Sequence, residues 1–383
     1  MSWQGWVSLV AVLVALVAVT LALQNRQWLR GLEAPASPEP ARITAASVDR
    51  PQVAFVANPS KPGAAELREQ CVQACASRYL PEPLWYETTP EDPGVGQTKQ
   101  AVADGAQVVV AVGGDGTVRA VAEGLNGTSA AMALLPQGTG NLLARNLDLP
   151  LNDVEAQLRV ALGGRDRVID VGWLTVVRDE KDVADPVSEL DPGAAAPEKT
   201  APAADDPSRR HIFLVIGGVG FDAAMVADAD EELKAKVGWI AYFLAGVRHL
   251  HSRRMRLEAQ LDGGPWYQLR LRSLMVGNCG RLPGGITLLP DAVLDDGWLD
   301  VGAIDTRGGM LGWTQLFGEV VAQRFGVRAD LPGSMGHIDH ARARRVRVRS
   351  RDAQQVQVDG DIIGEAFELE ANIQKHGLTV RVA

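Results

Sequence analysis

Three cysteines in 383 residues, Cys71, Cys75 and Cys279, are too few and too unevenly placed for a disulfide framework, so the chain reads as one for a reducing compartment. Cys71 and Cys75 lie one helical turn apart with no further metal-ligand residues nearby, which reads as a buried helix face. The six histidines show no metal spacing. Basic residues are not in excess: the net charge is −9, which argues against a molecule built around nucleic acid. Apolar and charged content are ordinary for a globular protein, and the length suits two domains.

Uncharged runs long enough to cross a bilayer are scarce, with one exception. Gly5 to Leu23 carries no charge, has Trp3 and Trp6 at one end and Trp28 at the other, and is followed by Arg26 and Arg30. About 20 apolar residues span a bilayer as a helix, and the basic residues on the C-terminal side place the bulk of the chain in the cytoplasm. The expectation is a single-pass anchor over residues 1–30; a cleaved signal peptide is the alternative, disfavoured by the missing basic n-region. Pro35, Pro38 and Pro40 mark 31–50 as a tether.

What the chain does have is glycine in two particular places. Val108 to Val112 is a purely apolar run, read as a buried parallel strand. It is followed by Gly113-Gly114-Asp115-Gly116-Thr117 and then a helical stretch, Val118 to Leu125. A strand-to-helix turn of this kind presents backbone amides and a helix N-terminus to an anion, and glycine lets a phosphate approach the main chain. No lysine follows, so this is not a Walker loop, and it is not a G-x-G-x-x-G turn. Asp115 adds a carboxylate of the kind that holds a magnesium ion among phosphates. A second turn, Pro136-Gln137-Gly138-Thr139-Gly140-Asn141, follows the short apolar strand Met132 to Leu135. Two such turns can converge on one nucleotide at the edge of an open sheet.

From Val53 the pattern alternates strand and helix: strands over Val53–Ala57, Val108–Val112 and Met132–Leu135, helices over Ala64–Arg78, Gly96–Ala103 and Val118–Leu125. This predicts an α/β domain over 51–148 with a parallel sheet and flanking helices. Beyond Asp148 short β-rich runs take over (Val168–Val177, His211–Ile216, Met255–Leu261, Gln268–Val276, Trp298–Ile304, Arg345–Val348 and Gln354–Val358), which predicts a mainly antiparallel β domain over 149–383. Residues 178–210, rich in Ala, Pro and Asp, read as a disordered surface insertion.

The two glycine turns resemble the diacylglycerol kinase catalytic domain, the family of bacterial diacylglycerol kinase B, sphingosine kinase and ceramide kinase. Four further segments carry the resemblance: Asn58-Pro59-Ser60, Gly217 to Ala223, Leu289 to Val301, and Gln357-Val358-Asp359-Gly360-Asp361. It covers nearly everything from Arg50 onward except the insertion. The first motif alone is also similar to NAD kinase, whose fold is of the same type. The resemblance implies an ATP- and magnesium-dependent kinase acting on a lipid hydroxyl, diacylglycerol or a sphingoid-type lipid. The lipid and a membrane are its expected partners, nucleic acid is not, and a homodimer is left open.

Carried over, Gly113, Gly114, Asp115, Gly116, Thr117, Val118, Arg119 and Ala120 cradle the phosphates. Gly138, Thr139 and Asn141 contact the nucleotide from the second turn, Asn58 from the first, and either Thr88 or Thr89 from a third loop. Arg119 and Ala120 replace a frequent Asn-Glu, and Leu142 a frequent aspartate. Asp296 and the carbonyls of Val293 and Trp298 are implied as a magnesium site, although an Asp-Gly turn between strands is a sufficient reason for Asp295-Asp296-Gly297. Asp359 and Asp361 are expected on one face of a strand as a coupled pair serving as general base, with Asp115 the third catalytic carboxylate. Glutamate is usual at 361, and the missing methylene shortens the reach by ~1.5 Å. Arg345, Arg347, Arg349 and Arg351 alternate along a strand; they read either as a polar outer face or as a basic face for anionic headgroups. The helical stretch Ala235–Leu250 reads as core or as the wall of an acyl-chain cleft. Two alternatives to a lipid kinase stay open: an NAD kinase-like enzyme, and a non-catalytic lipid-binding protein on the same fold. Magnesium-dependent ATP consumption on adding lipid separates them.

Overall fold

A computed structural model of the chain describes residues 50–61, 63–179, 182, 206–220, 254–283, 287–306 and 336–383. Residues 50–383 form one compact unit. The apolar segment at 5–23, most of the insertion at 178–210, residues 221–223 and the 235–250 segment lie outside the described residues. Among the described residues no helix is long and apolar enough to cross a membrane. This corrects the expected fold class at its N-terminus: the transmembrane helix, the single-pass placement and the membrane as a partner are not carried forward.

The first third of the unit alternates as its sequence pattern requires. Strands β1 (Val53–Ala57), β2 (Leu84–Glu87), β3 (Val108–Gly113) and β4 (Ala131–Pro136) are parallel and lie in the order β4-β3-β1-β2. Helices α1 (Ala64–Ser77), α2 (Val95–Ala103), α3 (Asp115–Leu125), α4 (Leu142–Asn146) and α5 (Val154–Gly163) connect or follow them. The strands are apolar throughout because both faces are covered. Val53, Phe55, Val108 and Val110 point to a core shared with Leu67, Cys71 and Cys75 of α1 and Leu158 of α5. Ala54, Val56 and Val109 point the other way, onto Val118, Val121, Ala122 and Leu125 of α3. Those four residues of α3 follow the three-and-four spacing of one helix face. All three cysteines are buried and unpaired, and burial pushes the Cys71 thiol up to about 12.

The rest is β structure: β5 (Arg165–Arg178), β6 (Arg210–Phe213), β7 (Ile216–Gly220), β8 (Met255–Leu261), β9 (Trp266–Leu271), β10 (Ser273–Gly277), β11 (Leu299–Thr306), β12 (Gly336–Ala343), β13 (Arg345–Val358) and β14 (Asp361–Val382). All described strands belong to one hydrogen-bonded sheet, ordered β12-β11-β10-β7-β13-β14-β4-β3-β1-β2, with β5 and β6 attached at β14 and β8 and β9 at β13. The junction is narrow. β14 pairs parallel to β4 only at Val380 and Met132.

Two expected runs divide. His211–Ile216 breaks at Leu214 and Val215, and Gln268–Val276 breaks at Arg272. Arg345–Val348 and Gln354–Val358 are instead the two ends of one strand, interrupted by a bulge in its pairing with β14. Three of the four alternating arginines are paired with carboxylates and do not form a free basic face. Arg345 pairs with Glu370 at 2.7 Å, Arg347 with Glu368 at 2.9 Å, and Arg349 with Glu258. Their carboxylates come from β14 and β8, so the strand's polar outer face is charge-compensated.

Gly172 on β5 stands opposite Phe213 on β6, and the ring lies where a side chain would go: a Cβ would meet it at 2.1 Å. Phe213 is fully buried. Gly172→Ala is expected to cost ~1–3 kcal/mol by displacing that ring; urea denaturation with an unchanged midpoint would refute it.

Candidate functional site

The turns that follow β1, β3 and β4 meet at one edge of the parallel sheet, its carboxyl edge. Strand order reverses between β1 and β3, the place where open α/β sheets leave a crevice for ligands. Main-chain bonds align the loops there. Asn58 N donates to Val112 O at 3.0 Å, Gln137 N to Gly113 O at 2.8 Å, and Thr88 N to Ala57 O at 2.9 Å.

The first glycine turn packs directly on the second. Gly114 approaches Gly138 so closely that a Cβ on Gly138 would sit 2.8 Å from the Gly114 Cα. Gly113 is required by Thr117, which is buried and whose Oγ1 would lie 2.5 Å from a Cβ there. The two turns are also bolted by one carboxylate. Asp115, the first residue of α3, accepts from Asn141 N at 2.9 Å on Oδ2 and from Leu142 N at 2.6 Å on Oδ1. It therefore caps the amides where α4 begins. Burial, aided by the nearby Asp359 and Asp361 carboxylates, pushes Asp115 up to about 6 against the pull of those two amides. Asn141, in the left-handed region at φ 48°, ties the second turn internally: its Oδ1 accepts from Gly138 N at 2.9 Å and its Nδ2 donates to Gly138 O at 2.7 Å. Thr139 is left exposed at the tip. In the loop after β1, Asn58 Oδ1 accepts from Ser60 N and Oγ. After β2, Thr88 is buried, while Thr89 is exposed with its Oγ1 accepting from Asp92 N at 3.1 Å.

The Asp359–Asp361 segment departs from expectation. The two residues do not share a strand face. Asp359 and Gly360 are the two central residues of a tight hairpin between β13 and β14, at φ 48° and 92°, with Val358 paired to Asp361 across it. Positive φ at both central positions is the signature of a type I′ turn, for which Asp-Gly is a preferred sequence. Alternation therefore ends at Val358. Asp359 is buried and its carboxylate accepts three amides: Leu214 N and Val215 N at 2.8 Å, and Ile216 N at 3.0 Å. It fixes the break between β6 and β7. Burial pushes its pKa above the ordinary carboxylate range, opposed by those amides and by Arg119. Asp361 is about half exposed and pairs with Arg119 of α3 at 2.6 Å. Its Oδ2 lies 3.3 Å from the point a Gly116 Cβ would occupy, so it hangs over the first glycine turn. Val118 and Ala120 face the core behind that turn.

The 293–298 turn stands apart. Asp296 accepts from Trp298 N at 3.0 Å and pairs with Arg342, which also approaches Asp300 at 3.5 Å. Among the described residues Asp300 Oδ2 is buried without a hydrogen bond. Burial raises the Asp300 carboxyl, and Asp296 and Asp291 add to that rise. Among the described residues no three His, Cys, Asp or Glu side chains converge as metal ligands.

One residue missed in the sequence holds this turn. Asp170 on β5 is fully buried and accepts from Gly297 N at 2.6 Å and His376 N at 2.7 Å, while its own N–H donates to Leu294 O at 2.7 Å. A lone carboxylate inside Val168-Ile169-Asp170-Val171 was the available signal, since a charge in an apolar run must be partnered.

The diacylglycerol kinase catalytic domain matches residues 52–174, and the YegS C-terminal NAD kinase beta sandwich-like domain matches residues 215–380. The chain is 31% identical over 265 residues to a Pseudomonas putida protein named "probable lipid kinase YegS-like", covering 68% of this chain and 72% of that one. A Pseudomonas aeruginosa protein of the same name is 29% identical over 296 residues, covering 74% and 83%. A crystal structure of a diacylglycerol kinase from Bacillus anthracis superposes with a TM-score of 0.62 at 19% identity, covering 88% of this chain and 98% of that one, a likeness of fold.

Proposed function

Because the chain belongs to the diacylglycerol kinase catalytic-domain family, within which its relatives are named as lipid kinases, we propose that it transfers the γ-phosphoryl group of ATP to a lipid hydroxyl. One observation carries this reading: the Asp361 carboxylate stands over Gly116, in the first of two glycine turns packed together at the switch point of the sheet. A donor's phosphates would lie along Gly113 to Ala120, whose amides and helix N-terminus favour anions. Thr139 at the tip of the second turn, with Gly138 and Asn141, Asn58 after β1 and Thr88 or Thr89 after β2 would hold the rest of the nucleotide.

In this reading Asp361 is the general base. It accepts the hydroxyl proton as the lipid oxygen bonds to the γ-phosphorus and the bond from that phosphorus to the departing ADP breaks. Asp359 supports the hairpin from below, since its oxygens are already committed to three amides. Asp115 keeps the two turns together. Phosphoryl transfer asks mainly for positioning and charge stabilisation, which suits a site with few reactive side chains.

Magnesium fits the 293–298 turn in one respect. The orphaned Asp300 Oδ2, beside Asp296 and Asp291, is the kind of oxygen a hard cation satisfies. Asp296 with the carbonyls of Val293 and Trp298 would hold the ion there. When bound it would neutralise carboxylate repulsion and set the turn that Asp170 braces.

The test is transfer from labelled ATP to a panel of diacylglycerol, sphingoid base and ceramide in detergent micelles, with NAD as a further acceptor. Label in a lipid is the expected result. Label in NAD would replace the reading with an NAD kinase, and no transfer at all would leave a lipid-binding protein.

A further inference from the structure

The resemblance drawn from the sequence implies asparagine at 119 and glutamate at 361, where this chain has Arg119 and Asp361. The two departures touch. Arg119 Nη2 donates to Asp361 Oδ2 at 2.6 Å, and Nη1 donates to the Val358 carbonyl at 3.1 Å. These bonds grip the β13–β14 hairpin on both sides of its Asp359–Gly360 turn. The Arg119 side chain is 19% exposed and the Asp361 side chain 53% exposed, so the cation is the better-fixed partner.

Four other groups bear on Arg119 or on the carboxylate it holds. Asp359 acts on it electrostatically, but that carboxylate is saturated by amides. Glu123, one turn along α3, and His211 on β6 also feel the Arg119 charge. Asp115, under the turn, feels the Asp361 charge. Of the three carboxylates around the guanidinium, Asp361 is the one that hydrogen-bonds to it.

We propose that Arg119 is the positioning residue of Asp361, and that the two departures are a single compensated change. A carboxylate one methylene short would fall back from the phosphate turn. A rigid fork anchored on α3 holds it over Gly116 by one oxygen and leaves Oδ1 for the incoming hydroxyl proton. The amide of an asparagine, on a single methylene, could not span the same gap, and a glutamate would not need the help. The proposal rests on the lipid kinase reading for its consequence in turnover, but the coupling itself exists without ATP or lipid.

The alternative role, a phosphate ligand, makes the opposite kinetic demand, so the test divides kcat from KM. Arg119→Asn is expected to lower kcat about 100-fold, the scale of a misplaced reacting group, while KM for ATP moves less than about threefold. Adding Asp361→Glu to Arg119→Asn is expected to recover at least about tenfold of that loss. Arg119→Lys recovers less, because a point charge cannot hold both Asp361 and the Val358 carbonyl. A large rise in KM for ATP with kcat kept, or a double variant no faster than Arg119→Asn, overturns the proposal. If the native protein phosphorylates no lipid, the functional reading fails on its own. The coupling is then read by a denaturant double-mutant cycle on Arg119→Gln and Asp361→Asn. Non-additivity of about twofold or more in the unfolding constant supports the pair, and additive effects overturn it.

Discussion

Asp361→Asn is expected to lower turnover by about two to four orders of magnitude while leaving KM for ATP within a few-fold of the native value. The asparagine keeps the shape and can still accept from Arg119, so the hairpin stays in place. It cannot take a proton from an alcohol. Asp359→Asn is the informative contrast: it disturbs a carboxylate that satisfies three buried amides, so its main cost falls on stability rather than on turnover of the folded fraction. Steady-state kinetics of both variants beside their urea midpoints measures this. Equal losses of turnover in the folded fractions would return the base to a shared pair, and a folded Asp361→Asn with near-native turnover would remove Asp361 from the chemistry.

The second large effect is expected at Asp115. Asp115→Ala strips the acceptor from the amides of Asn141 and Leu142 at once, and leaving a buried amide unsatisfied costs ~1–3 kcal/mol each. The two glycine turns then lose the tie that holds them in register, so nucleotide binding and turnover should vanish together while the parallel sheet, built on its own core, survives. Calorimetric titration with ATP and chemical denaturation give both readouts; ATP affinity within a few-fold of native would contradict the role. The same residue leaves a mark on stability against pH. Burial raises Asp115 from 3.8 to about 6 in the folded protein, so between those values the native state holds a proton that the unfolded chain has lost. Its contribution to stability is complete below about pH 3.8 and is lost as pH rises through about 6. Asp115→Asn should flatten that segment of the stability curve. A slope unchanged there would mean the carboxylate is ionised throughout.

The sequence exposed the features that are local. Uniformly apolar strands announced a sheet covered on both faces, and glycine turns at their ends announced where a phosphate could sit, because strand, turn and helix follow one another within about fifteen residues. Features made by distant partners were hidden. The arginines of β13 look like a basic face until Glu258, Glu368 and Glu370 arrive from other strands. Asp170 looks like an interruption until it meets Gly297 and His376. The Arg119–Asp361 pair joins two departures that read separately. One misreading had a local remedy. The alternation of Gln355 to Val358 was extended through Asp359 to Asp361, although an Asp-Gly pair after an alternating strand is a hairpin signal in its own right.

The 22 residues of β14 leave the ribosome after every other described strand, yet they pair with β13, β5 and β4. Until they emerge, no other described strand pairs with the open side of β4, and the side-chain bond from Asn126 to Gln374 waits across 248 residues. The parallel strands can assemble early, since their contacts are close in sequence. Closure of the sheet waits until β14 has emerged, with the slow loop closure that such separations impose. Because β14 also begins with Asp361, the strand that completes the sheet is the one that delivers that carboxylate to the first glycine turn. A chain short of β14 would thus carry its two glycine turns without the carboxylate that stands over Gly116.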